Sequence, residues 1–230
     1  MGLAYPEPVV LPATSLHTAS IIFLHGLGDT ADGWARYGPR WQAEMPYTKF
    51  IFPTAPTRPI GLDGGGKNST GWYDLTTLEV MDKPEDEAGL RETARYVDRL
   101  IAEEVAEGVP STRVAIAGFS QGGVTSLMAL RSNYSLAGVV SLSGYLPLAT
   151  QAPEVSPANA RTPIFMCHGD QDQVIAYRYG RRSFDILQTA GANVHFKTYW
   201  GIGHSTSFDE LEDVVAFFKD LLPARVASPS

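Results

Sequence analysis

Gly118-Phe119-Ser120-Gln121-Gly122 sets a serine between two glycines, one residue away on each side. Such a serine becomes a nucleophile when a sharp strand-to-helix turn lifts its hydroxyl clear of the backbone. The turn needs the glycines, because a Cβ at 118 or 122 would run into neighbouring backbone. It also sets Ser120 at a helix N-terminus, where the dipole favours developing negative charge. The pattern alone is weak, since a Gly-Ser turn can simply cap a helix. Its surroundings strengthen it: Arg113–Ala117 reads as a strand entering the motif, and Val124–Arg131 reads as a helix leaving it.

A serine hydroxyl is a poor nucleophile at neutral pH and needs a general base. The chain has five histidines. His17 precedes the first buried strand without other signal, and His195 sits inside an alternating strand. Sites in open α/β sheets form at the carboxyl ends of strands, which leaves His25, His168 and His204. The chain order Ser…Asp…His of the α/β-hydrolase fold selects His204, in the loop Gly201-Ile202-Gly203-His204. The acid should follow a strand between Ser120 and His204, and Ile164–His168 is that strand, followed by Gly169-Asp170-Gln171-Asp172. One aspartate would orient the imidazole and the other would fix the turn; residue chemistry alone leaves both open. The oxyanion of an acyl-transfer intermediate needs preorganised donors. The Gln121 N–H is the first, and the Leu27 N–H, in His25-Gly26-Leu27-Gly28 after an early strand, is the second. His25 itself reads as a hydrogen-bonded structural residue.

These residues require elements that hold them. Short apolar runs alternate with amphipathic stretches, the signature of an α/β fold with a mostly parallel central sheet flanked by helices. The runs are Ile21–Leu24, Phe50–Phe52, Val114–Ala117, Val139–Leu142, Ile164–Cys167 and Val194–Tyr199. Most are continuously apolar, as strands covered on both faces should be. Val194–Tyr199 alternates and is expected near an edge. Leu90, Ala94, Val97, Leu100, Ile101 and Val105 recur at helical spacing, ended by Gly108 and Pro110. Two further helices are expected around Phe184–Gln188 and Phe208–Phe218. Residues 53–84 and 147–163 are rich in proline or glycine and read as irregular; the first, with Trp72 and Tyr73, is expected to be packed and functional. One domain is expected over 1–230, with an N-terminal extension of about residues 1–15 and a frayed tail from 224 to 230.

Composition narrows the function classes. The 230 residues carry 18 Lys+Arg against 25 Asp+Glu, a net charge of −7 with no basic block, which disfavours a nucleic-acid surface. The single cysteine, Cys167, cannot close an internal disulfide and fits a reducing compartment. The start Met1-Gly2-Leu3-Ala4-Tyr5-Pro6 lacks a signal-peptide pattern and a myristoylation pattern, and no apolar stretch reaches bilayer-spanning length. A cytoplasmic, or cytoplasmic and nuclear, location is expected. Neither a metal nor a cofactor is expected: Cys167-His168 are adjacent rather than spaced, and the glycine clusters lack a phosphate-loop pattern.

Taken together, Phe23–Thr30, Phe52–Pro59, Trp72-Tyr73-Asp74, Glu85–Gly89, Gly118–Gly123, Ser143–Pro147, His168–Asp172 and Gly203-His204-Ser205 resemble the acyl-protein thioesterase/carboxylesterase family of serine hydrolases. The resemblance spans about residues 20–222. It implies an α/β-hydrolase fold, Asp172 as the acid of a Ser120/Asp172/His204 triad, and an apolar acyl channel carried onto Leu75, Leu78, Tyr145, Val174 and Tyr179. It implies hydrolysis of thioester-linked acyl groups on protein cysteines through an acyl-serine. Partners would be S-acylated proteins or small acyl esters, with transient membrane contact, no stable lipid anchor and weak homodimerisation. The readings set beside it are an esterase or lysophospholipase acting on oxygen esters, and a binding protein that has lost turnover. The chain departs from the family at Gly66–Gly71, one residue longer than usual before Trp72, and at Gln173, where a proline is usual.

Overall fold

The computed structural model describes residues 3–149 and 155–225, the side chain of Asp63 excepted. Among these residues a seven-stranded sheet runs in the order β1-β3-β2-β6-β7-β8-β9. Its strands are β1 (Val9–Leu11), β2 (Ala19–Leu24), β3 (Thr48–Phe52), β6 (Val114–Phe119), β7 (Gly138–Leu142), β8 (Ile164–Gly169) and β9 (Val194–Tyr199). All pairings are parallel except β1 with β3. The helices are α1 (Ala31–Ala35), α2 (Gly38–Glu44), α3 (Glu87–Ala106), α4 (Gln121–Met128), α5 (Tyr177–Thr189) and α6 (Phe208–Leu221).

Successive side chains of a strand point to opposite faces, and each face here has its own apolar core. Ile22, Leu24, Ile116, Val139 and Met166 pack with Leu90 and Val97 of α3, Leu127 of α4 and Leu187 of α5. Ile21, Phe23, Ala115, Val140 and Phe165 pack with Trp34, Trp41 and, from α6, Val214 and Phe218. A strand sandwiched in this way has no polar face, which is why the central runs read as continuously apolar. The alternating strand β9 lies at the sheet edge, half-covered, as its pattern implies.

Three parts depart from the sequence expectation. Within the stretch 1–15, read as an extension, Val9–Leu11 pairs with β3 and lengthens the sheet. Residues 53–84 are not wholly irregular: β4 (Thr57–Ile60) and β5 (Lys67–Thr70) form an antiparallel hairpin. Pro59 is accommodated there because an isolated two-stranded ribbon leaves each strand an unpaired edge. α1 and α2, five and seven residues long, are too short for a readable helical period. Of the tail expected to fray, Ala224 and Arg225 are exposed without regular structure, and 226–230 lie outside the described residues, as do 150–154 of the second irregular segment. Among the described residues no helix is long and apolar enough to cross a membrane.

The strand order places the site. From β2 the chain moves outward to β3, then returns to pair β6 on the other flank of β2. Loops leaving adjacent strands in opposite directions open a crevice at their carboxyl ends, between the His25–Gly28 loop and Ser120.

Candidate active site

Ser120 follows β6 and precedes α4 with φ 55° and ψ −120°, a conformation that costs a non-glycine residue of order 1–3 kcal/mol. Its N–H bond to the Leu142 carbonyl, 2.8 Å, helps hold the turn against that strain. The glycines are needed for contact: a Cβ on Gly118 would lie 2.3 Å from the Gly122 backbone, and one on Gly122 would lie 2.1 Å from the Leu24 carbonyl oxygen.

The Ser120 hydroxyl lies 2.8 Å from His204 Nε2, and His204 Nδ1 lies 2.7 Å from Asp172 Oδ2. A carboxylate only accepts, so Nδ1 carries the proton and Nε2 is left as the acceptor for the serine hydroxyl. Phe119 packs on the imidazole at 4.9 Å between ring centroids. Three residues spread over 84 positions of the chain thus form one hydrogen-bonded line.

The two aspartates that residue chemistry left open separate here. Asp170 Oδ1 accepts the Gly201 N–H, joining the loop after β8 to the loop after β9. Asp172 is turned inward, and its Oδ1 accepts the Val174 and Ile175 N–H groups, both at 2.9 Å. His168, buried, donates Nε2–H to the Ile175 carbonyl at 2.8 Å and lies 3.3 Å from Asp172 Oδ2. Burial alone would raise the Asp172 carboxyl, but hydrogen bonds from His168 and His204 outweigh it and hold the group well below the usual carboxylate range. His25 is a structural residue: Nδ1–H donates to the Gly26 carbonyl, Nε2 accepts the Ala55 N–H at 2.9 Å, and burial lowers its pKa.

Leu27 lies in the loop after β2, and Gln121 opens α4. Among the described residues neither backbone N–H has an acceptor. The Gln121 side chain does something its position in the motif did not signal. Its Oε1 accepts the Trp72 N–H at 2.7 Å and its Nε2 donates to the Tyr73 carbonyl at 2.8 Å, clamping the long 53–84 segment onto α4. The available signal was general: a buried amide must find partners, and the long 53–84 segment has backbone groups to supply them. The same segment holds the Leu27 loop, since Gly28 N–H donates to the Thr70 carbonyl at 2.8 Å and Thr70 Oγ1 donates to the Asp29 carbonyl at 2.6 Å.

The five residues expected along an acyl channel do not all meet. Leu75 and Tyr145 line one recess with Tyr73 and Val80, about 10 Å³ in volume. Leu78 and Val174 are 37% and 41% exposed and lie outside it. Tyr179 is buried with its hydroxyl donating to Asp82 at 3.0 Å. The larger opening, about 230 Å³, lies on the other side, beside His204, Phe119 and Trp34.

One group of metal-ligand type occurs among the described residues, His17, Glu104 and Glu107. Lys49 Nζ already bridges Glu104 and Glu107, 2.6 Å from each, so an ammonium occupies the place a cation would take.

Residues 6–222 match the phospholipase/carboxylesterase family model. The chain belongs to the phospholipase/carboxylesterase family. It is 42% identical to acyl-protein thioesterase 1 of Neurospora crassa over 239 aligned positions, covering 100% of this chain and 97% of that one. Among solved structures, acyl-protein thioesterase 2 of Zea mays superposes with a TM-score of 0.82 at 32% identity, covering 95% of this chain and 100% of that one. Arabidopsis thaliana SOBER1 gives 0.83 at 30% identity, covering 89% and 99%. As a member of this family the chain is an α/β-hydrolase and a hydrolytic enzyme.

Proposed function

We propose that this hydrolase removes thioester-linked fatty acyl groups from protein cysteines, with Ser120 as nucleophile, His204 as general base and acid, and Asp172 as the group that orients and charge-balances the imidazole. The observation that carries it is the hydrogen-bonded line Ser120–His204–Asp172 at 2.8 and 2.7 Å on a strained turn. The names of the relatives point the chemistry toward acyl-proteins.

In the first step Ser120 Oγ forms a bond to the thioester carbonyl carbon as its proton passes to His204 Nε2. The Leu27 and Gln121 amides hold the oxyanion. The carbon–sulfur bond then breaks, and the departing cysteine sulfur takes the proton from Nε2. In the second step His204 takes a proton from water, the resulting hydroxide attacks the acyl-serine, and Oγ leaves with the proton returned to it. The acyl chain is assigned to the Leu75–Tyr145 side, with the exposed side chains of Leu78 and Val174 adding apolar surface. A single buried thiol outside any disulfide fits action in a reducing compartment such as the cytoplasm.

Parallel kcat/KM measurements on acyl-cysteine peptides and oxygen esters of equal chain length test the assignment, with Ser120→Ala as control. Turnover of the thioester at a rate above the oxygen ester, abolished in Ser120→Ala, is the expected result. Oxygen-ester turnover with no thioester turnover would establish the esterase instead.

A further inference from the structure

A leaving group that collects its proton from His204 Nε2 must lie against that nitrogen, on the His204 side of Ser120. The opening on that side is bounded by Asp29, Trp34, Arg36, Tyr37, Phe119 and His204 and encloses about 230 Å³. Resting on the thioesterase reading above, we propose that this opening is the subsite for the polypeptide carrying the acyl-cysteine, and that Arg36 selects an acidic side chain next to that cysteine.

The opening is built differently from the recess beside Leu75. Its floor is aromatic, with Trp34 5.7 Å from Phe119 and 5.6 Å from Tyr37 between ring centroids. Its volume falls just below the range of roughly 300–1,000 Å³ found for small-molecule pockets, which suits a short extended segment. It carries two charges of opposite sign, Asp29 and Arg36, and neither has an ion-pair partner among the described residues. Asp29 Oδ1 accepts the Thr30 N–H at 2.8 Å. The Arg36 guanidinium lies 5.2 Å from the Tyr37 ring centroid and has no carboxylate partner among the described residues. Its neighbour Arg40, in contrast, pairs with Glu212 at 2.7 Å. A guanidinium stacked on a ring is oriented while its N–H edge stays open, the arrangement that receives a carboxylate bidentately. In a chain of net charge −7, an unpaired cation lining the same opening as His204 is where acidic sequence is attracted rather than repelled.

The test uses three acyl-peptide thioesters with one acyl chain and one sequence, differing only in Glu, Gln or Lys beside the acyl-cysteine. The wild-type enzyme should rank them Glu, Gln, Lys in kcat/KM, with Glu over Lys by about two- to fivefold at low salt, as for one exposed charge pair. The preference should shrink in about 0.5 M salt. Arg36→Gln should level the three, and Arg36→Glu should invert the order. Arg95→Glu, the same charge change on the exposed face of α3, should keep the wild-type order. Equal wild-type rates on all three peptides, or an unchanged order in Arg36→Glu, would overturn the subsite while leaving thioester hydrolysis standing. Failure to cleave any acyl-cysteine peptide while oxygen esters are turned over would overturn the thioesterase reading, and the subsite with it.

Discussion

Asp172→Asn isolates the proton bookkeeping of the site from its architecture. The Val174 and Ile175 N–H groups both point at Oδ1, each at 2.9 Å, and they accept nothing. The asparagine carbonyl must therefore take the Oδ1 position, and its NH2 must face His204 Nδ1 and His168 Nε2. A donor facing Nδ1 forces the His204 proton onto Nε2, where it confronts the Ser120 hydroxyl and cannot take its proton. A base held in the wrong tautomer loses about four orders of magnitude in rate, or about 5 kcal/mol of barrier. The turn bonds survive, while the NH2 meets the His168 Nε2–H that donates to Ile175, so folding stability should fall by only about 1 kcal/mol. The expected outcome is a fall of about 10³- to 10⁴-fold in kcat/KM on an acyl-peptide thioester, a matching loss in the rate of fluorophosphonate labelling of Ser120, and a Tm within a few degrees of wild type. Activity within tenfold of wild type at unchanged Tm would show that Asp172 does not set the tautomer. A collapse in Tm would refute the claim that the two turn bonds orient the amide.

Gly122→Ala should cost on the order of 3 kcal/mol or prevent folding, because the new methyl meets the Leu24 carbonyl rather than a movable side chain; a urea midpoint equal to wild type would refute this. Glu210 is buried at the start of α6, and its pKa is raised from 4.5 to about 7, chiefly by burial, against the opposing bond from the Ser207 N–H. A folded pKa above the unfolded one means that ionisation destabilises the fold: the penalty is absent below about pH 4.5, grows between 4.5 and 7, and is on the order of 3 kcal/mol above 7. Glu210→Gln keeps an acceptor for Ser207 and should raise Tm at pH 8 but not at pH 4.5; thermal melts showing an equal shift at both would contradict the argument. His204→Ala should slow deacylation at least as much as acylation, because a thiol leaves readily whereas water must be activated. Mass spectrometry that finds no acyl-Ser120 accumulating, with acylation limiting, would exclude it.

Legibility in the sequence followed the length scale of each interaction. β2, β6, β7 and β8 were readable because burial on both faces demands an unbroken apolar run, and α3 because twenty residues carry several turns of an amphipathic period. β1 and α1 are too short for a period to register, and the β4–β5 hairpin, with Pro59, Asn68 and Ser69, has no alternating apolar face. The acyl-channel residues illustrate the same limit. Leu75 and Tyr145 share a recess, but nothing in their types foretold that Tyr179 would turn to Asp82 or that Val174 would face outward.

Ser120 and His204 were accessible from residue order and local punctuation, because a strand–glycine–serine–helix turn is a local steric demand and because loop position follows from the alternation of elements. Residue chemistry alone could not say which aspartate serves His204, since Asp170 and Asp172 are two residues apart with identical chemistry; only the family resemblance pointed to Asp172. Packing of the loop after β9 against the loop after β8 directs Asp170 to the Gly201 amide and Asp172 to the imidazole. The side-chain clamp of Gln121 on Trp72 and Tyr73, and the opening that Arg36 shares with His204, likewise exist only once distant segments meet. Composition and period constrain what each segment must bury; the direction in which a polar side chain spends its hydrogen bonds is decided by whichever distant backbone arrives beside it.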